Sequence, residues 1–490
     1  MSASFTSLIY TYIGFPLLAI VVLNLIGKKH MEKFCAPIGC AVGVVQAVTS
    51  VITMLLLLQY NKAAVNFSQF WDMSVSTEAA YFSVDAISAI VLFCIGMVTA
   101  ASFLTAAGMR EEKMFNYTNV MLILVLGMSG IALGTDLFSL YVFLEITGIA
   151  SFVLIALHRD IIGLEGSFKY LVMSAVASAF ILAGLSFIYM ETGSLRYDAV
   201  AEMLAGNTAA EPMLIWLAFL FLIAGFSIKS GIVPFHGWLP DAYQSAPAPV
   251  SVVLGGIVTK MAGVYAIIRI MSDFLLGTYS VINLAFMLLG LLSIVMGALA
   301  AIAQGDFKRI LAYSSISQIG YIVLGASTGS MIGLIGAVLH FFNHATFKTT
   351  LFVNSAAVER QTGTTEIERL GGLQKQMPVT GVSSVLAFLS TAGIPPLAGF
   401  WSKLLIIIAA WQAGGPLIAG IALVASILTA AYFLRLQRKV FFGPVEEHLS
   451  TVKEARGGIA VSAVALSAVT VVVGLLFPVL LQILQAQGLL

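Results

Sequence analysis

Charge is scarce in this chain: only 10% of its 490 residues are charged, while 60% are hydrophobic. A soluble domain carries roughly a quarter charged residues, so the composition excludes a water-soluble enzyme and points to an integral membrane protein. No basic patch lies outside the short loops, which argues against nucleic acid as a partner. Cysteine is sparse as well. Cys35, Cys40 and Cys94 lie in apolar segments and form no CxxC pair. They read as small core or lipid-facing residues rather than as iron–sulfur or zinc ligands, and no metal or other cofactor is expected. A nucleotide-binding loop, a redox-cofactor motif and a soluble catalytic domain are all lacking, so no catalytic site is expected in this chain. Met1 to Ile26 carry no basic n-region and no small-residue cleavage pattern before Lys28, and read as a retained first span.

Long apolar runs are what the chain has in quantity. A span needs about 20 apolar residues, and the sequence yields fourteen, with the fourth joined to the fifth by a tight Gly134-Thr135-Asp136 turn. Placing the N-terminus outside puts 17 of the 24 basic residues in or beside inner loops. Only Lys62, Arg196 and Arg269 fall outside, as the positive-inside rule requires. The chain is therefore expected to be an all-α, multi-pass protein of the cell membrane with both termini on the outer side.

The remaining four basic residues, Lys229, Lys260, Lys348 and Lys403, sit within apolar segments. A charge at the bilayer centre costs on the order of 3 kcal/mol even on lenient insertion scales, so it faces a partner or water. Glu145 is the one carboxylate near the centre of an expected span; Asp85 and Asp136 lie close to span ends. Opposite Lys229 it forms either a switch for proton uptake and release or a static ion pair that fixes helix packing. Lys260 lies more than two helical turns from either end of its span, too deep to snorkel; Lys403 is nearer an interface. Desolvation favours the neutral form of a lysine, so a buried lysine is suited to passing a proton at neutral pH.

His340, His344 and Lys348 recur every four residues, which places them on one slowly drifting helix stripe. Histidine titrates near neutrality, so the stripe suits a proton relay. Metal binding is the alternative, but no HExxH glutamate or obvious third ligand accompanies the pair.

Two segments share a G-I-x-P-[apolar]-x-G pattern: Gly231-Ile-Val-Pro234-Phe-His-Gly237 and Gly393-Ile-Pro395-Pro396-Leu-Ala-Gly399. They lie five spans apart and so cross the membrane in opposite directions. Proline removes an amide donor and clashes with the preceding turn, so helices 7 and 12 should break there. Matching broken helices in oppositely oriented halves point to an inverted-repeat transporter with its site near the midplane. Chance sharing of a short Gly/Pro pattern is the alternative.

The stretches Lys229-Ser-Gly-Ile-Val-Pro-Phe-His-Gly-Trp-Leu-Pro-Asp241-Ala242, Ala246-Pro-Ala-Pro-Val-Ser251, Lys308-Arg-Ile-Leu-Ala-Tyr-Ser-Ser315, His344-Ala-Thr-Phe-Lys348 and Gly393-Ile-Pro-Pro396 extend this reading. Together they resemble the antiporter-like subunits shared by respiratory complex I, Mrp-type sodium/proton antiporters and membrane-bound hydrogenases, over about residues 110–440. The resemblance implies a fourteen-helix core with two inverted five-helix repeats, spans 4–8 and 9–13. Within one membrane domain over 1–490, these correspond to three N-terminal spans in 1–107, repeats in 115–271 and 278–441, and a last span in 457–483. By position, Glu145 and Lys229 match the family's fifth-helix glutamate and seventh-helix lysine, and Lys260 its eighth-helix relay lysine. His344 and Lys348 match the eleventh-helix polar pair, and Lys403 the twelfth-helix terminal lysine. Gln318 stands where some relatives carry histidine, which weakens a relay role there. Lysine at 260 and 403, and a chain ending soon after the last span, make the pattern most like the Mrp-type D component or its hydrogenase-type counterpart.

The expectation is thus a proton-translocating subunit that works with other membrane subunits of an antiporter or an NADH dehydrogenase-like or hydrogenase-like complex, coupled to Na+ exchange or to redox chemistry in those partners. A stand-alone transporter of an organic solute and a passive membrane anchor are the rivals.

Overall fold

The computed structural model describes residues 2–60, 74–76, 82–206, 212–274, 280–455 and 457–486. Lys62, Arg456 and the start of the second expected repeat (278–279) lie outside them. The described chain is helical apart from short connections and one two-stranded antiparallel sheet, Ser74–Ser76 with Ser83–Asp85. The main helices are α1 (Ser2–Ile26), α2 (Cys35–Tyr60), α3 (Ala86–Met109), α4 (Met114–Leu133), α5 (Leu137–Ile155) and α6 (Ile161–Thr192). Then come α7 (Pro212–Ser230), the short α8 (Trp238–Ser245) and α9 (Ala248–Asp273). The second half holds α10 (Ser280–Ile302), α11 (Phe307–Ala326), α12 (Met331–Thr362), α13 (Pro378–Ala392), α14 (Ala398–Val440) and α15 (Gly458–Ala486). Among the described residues, 11 helices are long and apolar enough to cross a membrane. The protein is a multi-pass membrane protein.

Several helix starts are fixed by side chains that accept a free amide of the first turn. Asp85 accepts from Ser88 N, Asp136 from Ser139 N, Asp160 from Gly163 N and Asp306 from Arg309 N, at 2.7–2.9 Å. These aspartates are committed to span ends, which leaves Glu145 as the carboxylate in mid-span. Helix surfaces carry exposed large apolar side chains such as Val48, Ile149, Phe168 and Leu417. Such a belt belongs in lipid or against another subunit.

α9 is the opposite case, buried along its whole apolar length. It packs mainly against α12, α3 and α7, and also touches α4, α5 and α11. Its hydrogen bonding slips to π-helical turns at Leu254–Val258, Lys260–Val264 and Ile270–Phe274. α7 ends at Ser230 and its direction resumes in α8, with Gly231 at φ +65° between them. α13 and α14 are parted in the same way, with Gly393 at φ +81°. Both positions lie in the left-handed region that only glycine adopts cheaply. Each break also holds a cis X-Pro bond, Val233-Pro234 and Pro395-Pro396. α14 turns again at Gly415, whose backbone is not helical, just before Pro416. At 1.5 Å per residue its 43 residues are about twice the thickness of a hydrocarbon core, so the turn divides it into two legs.

One backbone clasp occurs twice. Leu137 N donates to Leu195 O (2.9 Å) and Tyr197 N to Thr135 O (3.2 Å); 170 residues further on, Phe307 N donates to Thr365 O (2.8 Å) and Ile367 N to Gly305 O (2.9 Å). Each clasp ties the chain just before α5 or α11 to the chain just after α6 or α12.

α2 and α3 pack through small residues spaced four apart, Gly43 and Ala47 against Gly96 and Ala100. A Cβ added at Gly96 would lie 2.5 Å from Ala47 N and 2.6 Å from Gly43 O. Backbone cannot yield as a side chain can. Gly96→Leu is therefore expected to lower stability by about 1–3 kcal/mol or more, read as a fall in melting midpoint in detergent. An unchanged midpoint would show that these helices do not pack this closely.

Candidate functional site

The titratable side chains expected in mid-span fall into three groups, apart from Arg269, which pairs with Asp85 and Asp273 near the end of α9. In the first, α5 and α7 bring Glu145 and Lys229 together, with Lys229 Nζ 2.9 Å from Glu145 Oε1. α6 supplies two hydroxyls. Ser178 donates to Glu145 Oε1 at 2.5 Å, and Lys229 donates to Ser174 Oγ at 2.8 Å. The lysine side chain is 2% exposed and the glutamate 32%. Lys229 sits in the last turn of α7, two residues before Gly231, so the break fixes where its side chain enters.

The second group is Lys260 alone on α9. It is fully buried, and Nζ donates to Gly255 O, five residues back, at 2.6 Å. In a regular helix that carbonyl would be taken up by the amide four residues on. The π turn at Leu254–Val258 loosens that pattern and leaves the carbonyl facing the ammonium. Around it, Tyr243 donates to Leu254 O and meets Thr259 Oγ1 at 2.7 Å.

The third group follows α12. The His340 and His344 rings lie nearly parallel with centroids 6.5 Å apart. His340 Nδ1 meets Ser402 Oγ at 2.9 Å, while its Nε2 and both nitrogens of His344 are buried without a protein hydrogen bond. Lys348 donates to Leu311 O at 3.0 Å and to Ser314 Oγ, and its ammonium lies over the Phe433 ring. Lys403, at the start of α14, donates to Thr391 O at 2.7 Å and to Ser426 Oγ at 3.2 Å, over the face of Tyr321. It is 3% exposed, so it does not snorkel. α9 and α12 pack against each other, while Glu145 and Lys229 form their own pair in the first half.

Sequence reasoning did not foresee the hydroxyl partners Ser174, Ser178, Ser402 and Ser426. Serine is common in membrane helices, and its period alone does not say which face meets a lysine. A second lysine–carboxylate pair was also missed. Lys308 Nζ lies 2.8 Å from Glu359 and 3.3 Å from Ala246 O, with the lysine nearly buried and the glutamate 32% exposed. Lys308 reads as a loop cation by sequence position; its depth comes from packing beside α12. His236 stands in the first break with its ring 6.2 Å from that of Tyr313, and its Nδ1 is buried without a partner. Among the described residues no cluster of His, Cys, Asp and Glu has the arrangement of a metal site.

The family described as NADH:quinone oxidoreductase/Mrp antiporter, TM, matches residues 134–429, which hold all three groups. The chain is 38% identical to the N component of the NADH-quinone oxidoreductase of Desulforudis audaxviator, over 69% of this chain and 67% of that protein. It is 34% identical to the D component of the Na(+)/H(+) antiporter of Alkalihalophilus pseudofirmus, over 74% of this chain and 73% of that one. In three dimensions it is similar to a chain of the Mrp complex from a Dietzia species, with TM-score 0.85, 26% identity and 98% and 96% of the two chains covered.

Removing one partner of a buried ion pair costs more than removing both, because the survivor is left as an unpaired charge. Glu145→Gln is expected to destabilise by about 2 kcal/mol, a value reduced because the carboxylate is a third exposed. The double variant Glu145→Gln/Lys229→Met should recover most of that loss in a melting assay. If the double variant is less stable than the single one, the pair is a packing element in its own right.

Proposed function

The chain belongs to the NADH:quinone oxidoreductase/Mrp antiporter membrane family, and from that premise we propose that it is a proton-translocating, antiporter-like subunit of a multi-subunit membrane complex. Its partners are other membrane subunits, and its driving force is cation exchange or redox chemistry carried out by them. The relatives include components of both an NADH-quinone oxidoreductase and a Na(+)/H(+) antiporter, so either coupling suits this scaffold.

The observation that carries the proposal is the series of buried titratable groups in mid-span: Glu145 and Lys229, then Lys260, then His344, His340 and Lys348, then Lys403. A solute site would need a cavity with hydrogen-bond partners for the solute. Here the polar groups stand on five helices, α5, α7, α9, α12 and α14. Buried nitrogens without a protein partner, as on His344, are where water completes the hydrogen bonding.

In this mechanism a proton is taken up at Glu145. When the Glu145–Lys229 contact opens, the buried ammonium loses its counter-charge and gives its proton up toward α9. Lys260 receives it, with Gly255 O holding the ammonium form. His344 and His340 pass it along α12, with Lys348 as the charge that keeps it from dwelling there. Lys403 releases it beside the second break.

The scaffold proposed for this path has fourteen spans. They are the 11 long apolar helices with α14 divided at Gly415, the more polar α11 and α12, and α13 joined to the first leg of α14 across the break. Two inverted five-helix repeats, 115–271 and 278–441, follow three N-terminal spans in 1–107 and precede a last span in 457–483. The twin backbone clasps, 170 residues apart, and the matching glycine breaks support this division. An even span count and the basic bias support an orientation with both termini on the outer side of the cell membrane.

The test is proton movement by the whole complex in everted vesicles or liposomes, wild type against Lys260→Ala, with and without sodium. Lys260→Ala is expected to lower the rate by about two orders of magnitude with assembly intact, and sodium dependence separates exchange from redox-driven pumping. Unchanged transport would make the buried lysines structural.

A further inference from the structure

Away from the axis, α1, α4 and α5 enclose a surface cleft of about 710 Å³ at the end of the bundle where α1 finishes and α4 begins. Its upper part is lined by Lys113, Arg159, Asn116 and Asn119; its lower wall by Ile123 and Val153, among others. Ile123 lies about 12 Å deeper along α4 than Phe115, which marks the polar rim. Ile123 and Val153 are 40% and 48% exposed, in helices that cross the membrane. The cleft is thus polar and cationic at the interface and apolar below it.

The rim cations make no ion pair among the described residues. Lys113 Nζ donates to Leu157 O at 2.8 Å, while the Glu111 carboxylate accepts from the Lys113 backbone amide at 3.1 Å. The Arg159 guanidinium makes no hydrogen bond or ion pair among the described residues. Of the nearby carboxylates, Glu111 bonds His158 at 2.8 Å, Asp160 caps α6, and Glu112 is exposed to solvent. Asn24 and Asn119 bond to each other and to their own helices, while Asn116 is exposed. Two N–H groups of Lys113, the whole guanidinium fork and one amide are therefore available to a single acceptor.

We propose that this cleft is a binding site for the headgroup of an anionic phospholipid, with the phosphodiester held by Lys113 and Arg159 and an acyl chain lying along Ile123 and Val153. A free anion would use the rim and leave the apolar wall in place. A zwitterionic lipid would bring its own cation next to two others. A net-negative lipid satisfies both zones, and basic pockets between spans at a membrane surface are suited to that chemistry.

The test uses the full-length protein in its complex, delipidated and then offered equal phosphatidylglycerol and phosphatidylcholine in mixed micelles, with retained lipid read by native mass spectrometry. Wild type should retain phosphatidylglycerol in preference. Arg159→Gln should lower that retention by about fivefold, and Lys113→Gln/Arg159→Gln by about the square of that factor. Lys375→Gln, an exposed cation elsewhere, should leave it unchanged. Arg159→Gln removes no internal bond, so its melting midpoint without lipid should equal that of wild type, which excludes misfolding as the cause. Equal retention by wild type and both variants overturns the proposal. Displacement of the lipid by millimolar inorganic phosphate alone assigns a soluble-anion site instead and overturns it too. Loss of a neighbouring subunit from the variants, with lipid retention intact, makes the cleft a subunit face and is equally fatal.

Discussion

A lysine ammonium has three N–H donors and a full charge, and the interior of a membrane protein offers few ways to satisfy either. Four such groups lie within the spans here, and Lys229 is the one with a carboxylate in contact. Lys260, Lys348 and Lys403 rely on main-chain carbonyls, those of Gly255, Leu311 and Thr391. Helical carbonyls are normally committed to their own helix, and two of these three acceptors lie where the backbone is irregular: Gly255 in a π turn of α9, and Thr391 two residues before the break at Gly393. Leu311 O is the exception, in the regular α11, where it also accepts from Ser314 and Ser315. At Gly255 and Thr391 the departures from regular helix serve the charge chemistry, where protein surrounds the freed groups.

The same constraint accounts for what differs between the halves. α6 and α12 are both 32 residues long and start 170 residues apart, the interval that separates the two clasps. At that interval Ser174 and Ser178 of the first half correspond to His344 and Lys348 of the second. In the first half the glutamate and lysine come from α5 and α7, and α6 contributes only hydroxyls. In the second half the titratable groups move onto the long helix itself. One scaffold thus carries a lysine–glutamate pair in its first half and a His–His–Lys stripe in its second, consistent with a distinct beginning and end for the path proposed above.

Much of this was legible in the sequence because charge within an apolar run has no innocent explanation. Lys229, Lys260, Lys348 and Lys403 announce themselves by position, and the stripe of His340, His344 and Lys348 by period. The glycine and proline motifs announce the breaks. The acceptors were not legible. Whether Ser178 faces Glu145 or lipid depends on helix rotation, which packing decides, and the π turns that expose Gly255 O leave no mark beyond a pair of glycines. Hydropathy alone also undervalues α11 and α12, because their buried polar side chains lower their apolar score. The depth of Lys308 was hidden for the opposite reason: a Lys-Arg pair at a helix start looks like a loop, and only the packing beside Glu359 shows one of the two to be buried.

Glu145 carries the argument outside the chain. Its carboxylate is a third exposed in mid-span, on α5, whose outward face also carries Val142 and Ile149. Facing lipid, an ionised carboxylate there would forfeit its hydration for a single lysine and a single hydroxyl, and the exposed oxygen would have no partner at all. Protonation would remove the charge but leave Lys229 buried without its anion, which costs as much from the other side. Neither state is satisfactory against hydrocarbon. Both become tolerable if a neighbouring subunit covers α5 and brings water or a polar group to the exposed oxygen. The solvation of this one carboxylate would then tie the proton path proposed above to how that neighbour sits.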